Sequence, residues 1–396
     1  MTEPTSTNPS VSTWLRHIRS LAVDIGPRGP TRDGERQAAL YAKAEFQKMG
    51  LQPILETFKS ARSGFHTPLL CSLLMLVAFI IFPLGGKLSI IIAALISIIA
   101  VVSEVMELAG INNPLRMVTP KGDSQNVFAM IPPASEHTHD LVLVGHLDSQ
   151  RTGIIWSSPR WIKTYNIFIM LVFATFILQA IVYTIAVFFP FSWAWYISML
   201  TAVSAILLAI MLIQIESTPF TAGANDNATG AGMVLALAEE FQQQPLQHTR
   251  VVAVCTGCEE AQHYGIIDFY KRHLGELKKP KAIVFEMLGC VSPAWLLKEG
   301  IIVPFAGDPG LAQLAERLSA EHPEWAAHPS SIGGGNTETV DSLRVKVPAI
   351  TITGATREGV TPYWHQVADT FDKMKPELME QSWQLTNAMI RELDAQ

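Results

Sequence analysis

Five short stretches of this chain each carry a histidine or a carboxylate where a loop follows an apolar run. LVLVG is followed by His146-Leu147-Asp148, and GANDNATG holds Asp226 at its centre. VVAVCTGC runs into Glu259-Glu260, AIVF leads to Glu286, and YWHQVADT carries His365. Two imidazoles with several carboxylates are donor types that suit zinc. They also suit two metal ions sharing a bridging carboxylate, about 3.5–4 Å apart. A carboxylate left outside the ligand set can serve as general base. The Glu259-Glu260 pair offers one ligand and one base. Neighbours on an extended chain point opposite ways, but a turn just past a strand can aim both inward. Glu286 sits within the apolar FEML, where an unpaired carboxylate is costly. Taken singly, H-x-D is commonly a surface pair and E-E commonly opens a solvated helix. The specificity lies in the ordered set.

The elements that must position these groups form an α/β pattern. Residues 141–145, 251–254, 282–285 and 348–353 read as short buried strands, and LQPILETF alternates as a strand does. Residues 33–49 form an amphipathic helix with Gly50 at its C-cap position, and residues 230–241 and 376–393 read as further helices. Strands alternating with helices predict a mainly parallel or mixed sheet with helices on both faces. In such sheets ligands bind beyond the carboxyl ends of the strands.

Two apolar blocks interrupt this pattern. Residues 68–84 and 88–102 are nearly all apolar, separated by Gly85, Gly86 and Lys87. Residues 165–187 and 191–215 carry no charged side chain, with Pro190 between them. Each arm approaches or reaches the roughly 17–25 residues needed to cross a bilayer. None has the polar stripe of a soluble helix, and Trp161, Tyr165, Trp193, Trp195 and Tyr196 sit where interfacial aromatics sit. The expectation is two transmembrane hairpins, at 67–108 and 165–215. They divide a discontinuous hydrophilic domain made of 1–66, 109–164 and 216–396.

An even number of crossings in each block puts every hydrophilic segment on one side. Lys59, Arg62, Arg116, Lys121, Arg151, Arg160 and Lys163 flank the apolar blocks on that side, against Lys87 alone on the other. The positive-inside rule then places the large domain in the cytoplasm of an integral membrane protein. Cys71, Cys255, Cys258 and Cys290 do not form the framework of a small disulfide-bonded domain, and reduced thiols fit that compartment. Cys255-x-x-Cys258 lacks the second pair of a zinc knuckle, so it reads as core lining. The polar N-terminus lacks the basic start and apolar stretch of a cleaved signal peptide. A net charge of -6 with no basic face argues against a nucleic-acid partner. The apolar segments hold hardly any ionisable residue, which makes a poor permeation path for a transporter.

The order GHLDS, GANDNATG, TGCEE, FEMLG and HQVADT resembles the family 28 metallopeptidases: zinc aminopeptidases, related carboxypeptidases and glutaminyl cyclases. The resemblance covers about residues 30–60, 120–150 and 216–396. It implies that His146, Asp226 and Glu286 hold one zinc, and that Asp226, Glu260 and His365 hold a second. It further implies Asp148 as the carboxylate that orients His146, and Glu259 as the general base. Glu286 stands where many members have aspartate. GGGNTETVDSL resembles a glycine-rich loop near the substrate in the wider group, which singles out Thr337 and Glu338.

The implied activity is removal of N-terminal residues from peptides with two zinc ions, one being the alternative count. A one-zinc glutaminyl cyclase and an inactive membrane scaffold are the competing readings. Both apolar blocks must return the chain to the same catalytic edge, so the expected site faces, or lies close to, the bilayer surface.

Overall fold

The computed structural model describes residues 4–109, 111, 113–189, 191, 193–300 and 304–396. Pro190, which the sequence sets between the second pair of apolar runs, lies outside the described residues. The chain separates into two compact units. One comprises Met1–Arg62, Lys121–Thr152 and Pro219–Gln396; the other comprises Ser63–Pro120 and Gly153–Thr218.

The first unit is built on a mixed sheet. Its strands are β1 (Ile54–Ala61), β2 (Lys121–Ile131), β3 (His139–His146), β4 (Thr249–Thr256), β5 (Lys281–Glu286), β6 (Pro293–Gly300), β7 (Phe305–Ala306), β8 (His328–Gly333) and β9 (Ala349–Gly354). The order is β1-β2-β4-β3-β5-β9-β6-β7, with β8 beside β6. The centre, β4-β3-β5-β9, is parallel, while β1 with β2, β2 with β4 and β6 with β9 are antiparallel.

The sheet is covered on both faces. Along β3, Leu141 and Leu143 join one apolar cluster, with Trp14, Ala38 and Phe241 from helices Pro9–Arg19, Asp33–Lys48 and Thr229–Gln243. Val142 and Val144 join the other, with Ile266 and Phe269 of helix Tyr264–His273. This is the two-residue alternation of a pleated strand. Burial on both faces is why the central strands read as continuous apolar runs.

Register aligns the carboxyl ends of the central strands. His146 on β3 pairs with Thr256 on β4, and Glu286 on β5 pairs with Thr353 on β9. Each of these four strands therefore delivers the loop after it to one edge. Gly145 keeps the helix that follows Asp226 against β3: a Cβ there would lie 2.5 Å from the Gly230 backbone.

Among the described residues, the second unit has four helices long and apolar enough to cross a membrane: His66–Leu84, Gly86–Leu108, Pro159–Phe188 and Ala194–Glu216. Many of their buried positions are small or polar, including Ala78, Ala93, Ser97, Ala100, Gln179, Ala205 and Ala209, beside larger ones such as Phe176, Tyr183 and Leu212. Their exposed positions are large and apolar, including Ile80, Leu95, Ile181, Leu200 and Ile210. Small residues inside and large apolar ones outside are the distribution expected of helices packing within lipid. All four cysteines are free and buried.

Candidate metal centre

The loops at the carboxyl edge bring six of the residues singled out in the sequence to one place. His146 ends β3 and is almost fully buried. Its Nδ1 lies 3.0 Å from the Asp148 carbonyl oxygen, which fixes the proton there and leaves Nε2 to face inward. Nε2 lies 3.4 Å from Glu286 Oε1, 3.5 Å from Asp226 Oδ1 and 3.8 Å from Glu259 Oε2. The second imidazole faces the other side of the same aspartate. His365 Nε2 is 3.1 Å from Asp226 Oδ2 and 3.3 Å from Glu260 Oε1. Asp226 thus stands between the two histidines, with one oxygen toward each.

Backbone and amide contacts hold these groups in position. The Asp369 carboxylate accepts N–H bonds from Asn225 and Asp226, at 2.6 and 3.0 Å. Asn227 donates its side-chain N–H to Glu286 Oε2 at 3.1 Å and to the Phe285 carbonyl at 2.8 Å. Gln150 donates to Glu260 Oε2 at 2.9 Å.

Asp148 works through its carboxylate on the Glu pair as well as on His146. Its oxygens accept the Glu259 and Glu260 N–H groups at 3.1 and 3.0 Å, while Oδ1 stays 3.5 Å from His146 Nδ1. The direct hydrogen bond of His146 is donated by Nδ1–H to the Asp148 backbone carbonyl.

Three further side chains escaped the sequence reading. Arg28 is fully buried and donates to the carbonyls of Leu21, Gly26, Leu147, Ala222 and Gly223. It ties the His146–Asp148 loop to the loop before Asp226. Gly223, at φ 60, leaves room for that guanidinium, because a Cβ would lie 2.9 Å from it. His263 and Asp341 lie beside Glu259. The only local sequence signal for His263 is its place four residues after Glu259, and nothing local points to Arg28 or Asp341.

The glycine-rich loop supplies Thr337 and Glu338. The Thr337 hydroxyl faces Glu299 at 3.3 Å and Thr351 at 2.7 Å, and its N–H donates to Glu299 at 2.6 Å. Glu338 is buried, and burial, reinforced by Glu259, pushes its carboxyl up to about 8.

The electrostatics suit a cation. Burial works to lower the proton affinity of His146, but Glu286 and Glu259 hold it well above the imidazole range. For His365 burial likewise opposes, while Glu260 and Asp226 raise its pKa to about 10. Burial pushes the Glu286 carboxyl well above its usual range, against the pull of His146. Asp226 Oδ2 and Glu260 Oε1 are buried and share the one His365 Nε2, at 3.1 and 3.3 Å. Ligand atoms of His146, Asp226 and Glu260 all lie within 4.8 Å of one another. Imidazole nitrogens and carboxylate oxygens converging in one buried cluster are a donor set that fits zinc.

The description of Peptidase family M28 matches residues 214–390, the stretch that holds Asp226, Glu259, Glu260, Glu286 and His365. No curated protein matches the chain. Among solved structures, the chain is similar to BSAP, a zinc aminopeptidase from Bacillus subtilis, at 12% identity and a TM-score of 0.56, covering 98% of this chain and 96% of that one. It is similar to a glutaminyl cyclase from Fimbriiglobus ruber at 14% identity and 0.57, covering 98% and 97%. It is also similar to a leucine aminopeptidase precursor from Bacteroides thetaiotaomicron at 12% and 0.56, covering 98% and 99%. At these identities the likeness is one of fold.

Proposed function

We propose that this chain is a membrane-anchored, zinc-dependent exopeptidase, and most simply an aminopeptidase. The observation that carries the reading is Asp226 set between His146 and His365, with Glu260 and Glu286 completing the two sides. The match of residues 214–390 to Peptidase family M28 supports it. His146 and Glu286 would hold one zinc, Glu260 and His365 another, and Asp226 would serve both. Bound there, zinc supplies a Lewis acid for the scissile carbonyl.

The chain's own residues do the rest. Glu259 presents Oε2 toward the ligand cluster, 3.8 Å from His146 Nε2. From there it takes the proton of the attacking water and passes it to the leaving amine. Asp148 holds Glu259 and Glu260 by their backbone N–H groups, so base and ligand keep a fixed spacing.

The Asp226, Glu260 and His365 side alone would serve a one-zinc glutaminyl cyclase, and the fold likeness extends to such enzymes. Metal analysis of the purified protein, with aminoacyl chromogenic substrates and a peptide bearing N-terminal glutamine, separates the two. Two zinc ions with release of N-terminal residues support the peptidase. One zinc with ring closure of glutamine and no hydrolysis supports the cyclase.

A further inference from the structure

Glu259 and Glu260 are adjacent and both buried, yet only one is assigned to metal; something must keep the other out of the ligand set. His263 lies where it can. Its Nδ1 is 2.6 Å from Asp341 Oδ2, and its Nε2 is 3.1 Å from the Asn336 carbonyl oxygen and 3.2 Å from Glu259 Oε1. Each ring nitrogen therefore faces only acceptors, which an imidazole satisfies when both nitrogens carry a proton. The other oxygen of Asp341 receives Arg344 Nη1 at 3.0 Å, which holds that carboxylate in place. The backbone is bent to bring the ring there. Gln262 and His263 have φ of 86 and 56, and both N–H groups return to the Glu259 carbonyl, at 2.9 and 2.8 Å. Two successive non-glycine residues at positive φ are strained backbone, a strain that persists where surrounding contacts over-determine it.

We propose that His263, held by Asp341, is the positioning residue of Glu259: it engages Oε1, leaves Oε2 to face the ligand cluster, and ties the loop carrying Thr337 and Glu338 to the base through Asn336. The inference rests on the assignment of Glu259 as general base. One imidazolium fixes both the rotamer of the base and the distance of the glycine-rich loop from it. A carboxylate spread between an imidazolium and the cluster cannot turn both oxygens to metal, so Glu259 stays a base while Glu260 ligates.

The test uses the full-length protein in detergent, loaded with zinc. His263→Leu should retain zinc and lower kcat about 10–100-fold, the cost of a misplaced reacting group, with KM changed by no more than about twofold. In a Glu259→Gln background the same substitution should cost almost nothing, because its effect runs through Glu259. Asp341→Asn should lower kcat in the same direction by less, and it serves if His263→Leu does not fold. Nitrogen-15 spectra of histidine-labelled protein should show His263 with both nitrogens protonated at neutral pH. A His263→Leu enzyme with wild-type kcat, an equal loss in the Glu259→Gln background, or a neutral His263 ring would each overturn the proposal. Wild-type protein that binds zinc but hydrolyses no aminoacyl substrate would instead count against the peptidase reading, and the nitrogen spectra would still decide the role of His263.

Discussion

Replacing Asp148 with asparagine separates support of the site from support of the fold. The Asp148 carboxylate is fully buried and accepts the N–H groups of Glu259 and Glu260, at 3.1 and 3.0 Å. Asparagine offers one acceptor oxygen where aspartate offers two, so one of those N–H groups would meet an NH2 group. Losing one charge-assisted bond and orphaning one buried donor costs on the order of 2–4 kcal/mol. The displaced residues are the proposed base and a proposed ligand, so zinc affinity or activity should fall about 10–100-fold, as outer-shell substitutions commonly do. Asp140 provides the control at the far end of β3. It is equally buried, pairs with Arg250 at 2.7 and 2.9 Å, and accepts the Lys278 N–H at 2.6 Å. Asp140→Asn should destabilise comparably and leave zinc affinity intact. The assay is zinc retention against a competing chelator, beside thermal unfolding of both variants. Equal zinc affinity in Asp148→Asn and wild type, or equal zinc loss in both variants, would refute the reasoning.

Other expectations follow from separate parts of the molecule. Glu286 faces His146 at 3.4 Å, so Glu286→Ala should release about one zinc per chain while the ion of Glu260 and His365 stays; unchanged zinc content and unchanged hydrolysis would make Glu286 structural. Four apolar helices and the Lys/Arg bias predict resistance to carbonate extraction. Reporters at the C-terminus and between helices Pro159–Phe188 and Ala194–Glu216 should report opposite sides, the C-terminus cytoplasmic; release without detergent or an external C-terminus would contradict this. Burial, helped by Arg16, depresses His17 from 6.5 to about 3 in the folded protein. The unfolded chain therefore takes up that proton first. The associated stability is complete above about pH 6.5 and is lost toward pH 3, at up to about 1.4 kcal/mol per pH unit. His17→Gln should flatten that slope, and an identical pH profile would contradict the assignment.

What could be read in the sequence was what local pattern encodes. The central strands are apolar on both faces, so LVLVG, VVAV and AIVF stand out, and the polar residue after each marks the edge of the sheet. β6, β7 and β8, at one edge of the sheet, were missed. β8, HPSSIG, contains proline and glycine and gains strand form from pairing with β6; β6 and β7 are similarly weak in isolation. The mixed character of the sheet follows from β1, β2 and β6, whose antiparallel pairing has no signature in their own residues. In the site, the groups of the motifs were legible, but their holders were not. Arg28 lies in GPRGP, outside every motif, and its value comes from five carbonyls contributed by three separate stretches. Asp341 meets His263 across 78 positions, a pairing only the fold creates. Asp148 was read as the orienter of His146; its carboxylate also holds the Glu259-Glu260 backbone, a role that depends on where β4 ends.

The central claim is that this carboxyl-edge cluster binds zinc and that Glu259 moves the proton in peptide hydrolysis without being a ligand. The most direct test is zinc content and turnover of an aminoacyl substrate in Glu259→Gln beside wild type, both purified in detergent. The account predicts unchanged zinc and a loss of turnover of about 10²–10⁴-fold. Loss of zinc together with activity would make Glu259 a ligand, and turnover at the wild-type rate would remove it from the chemistry.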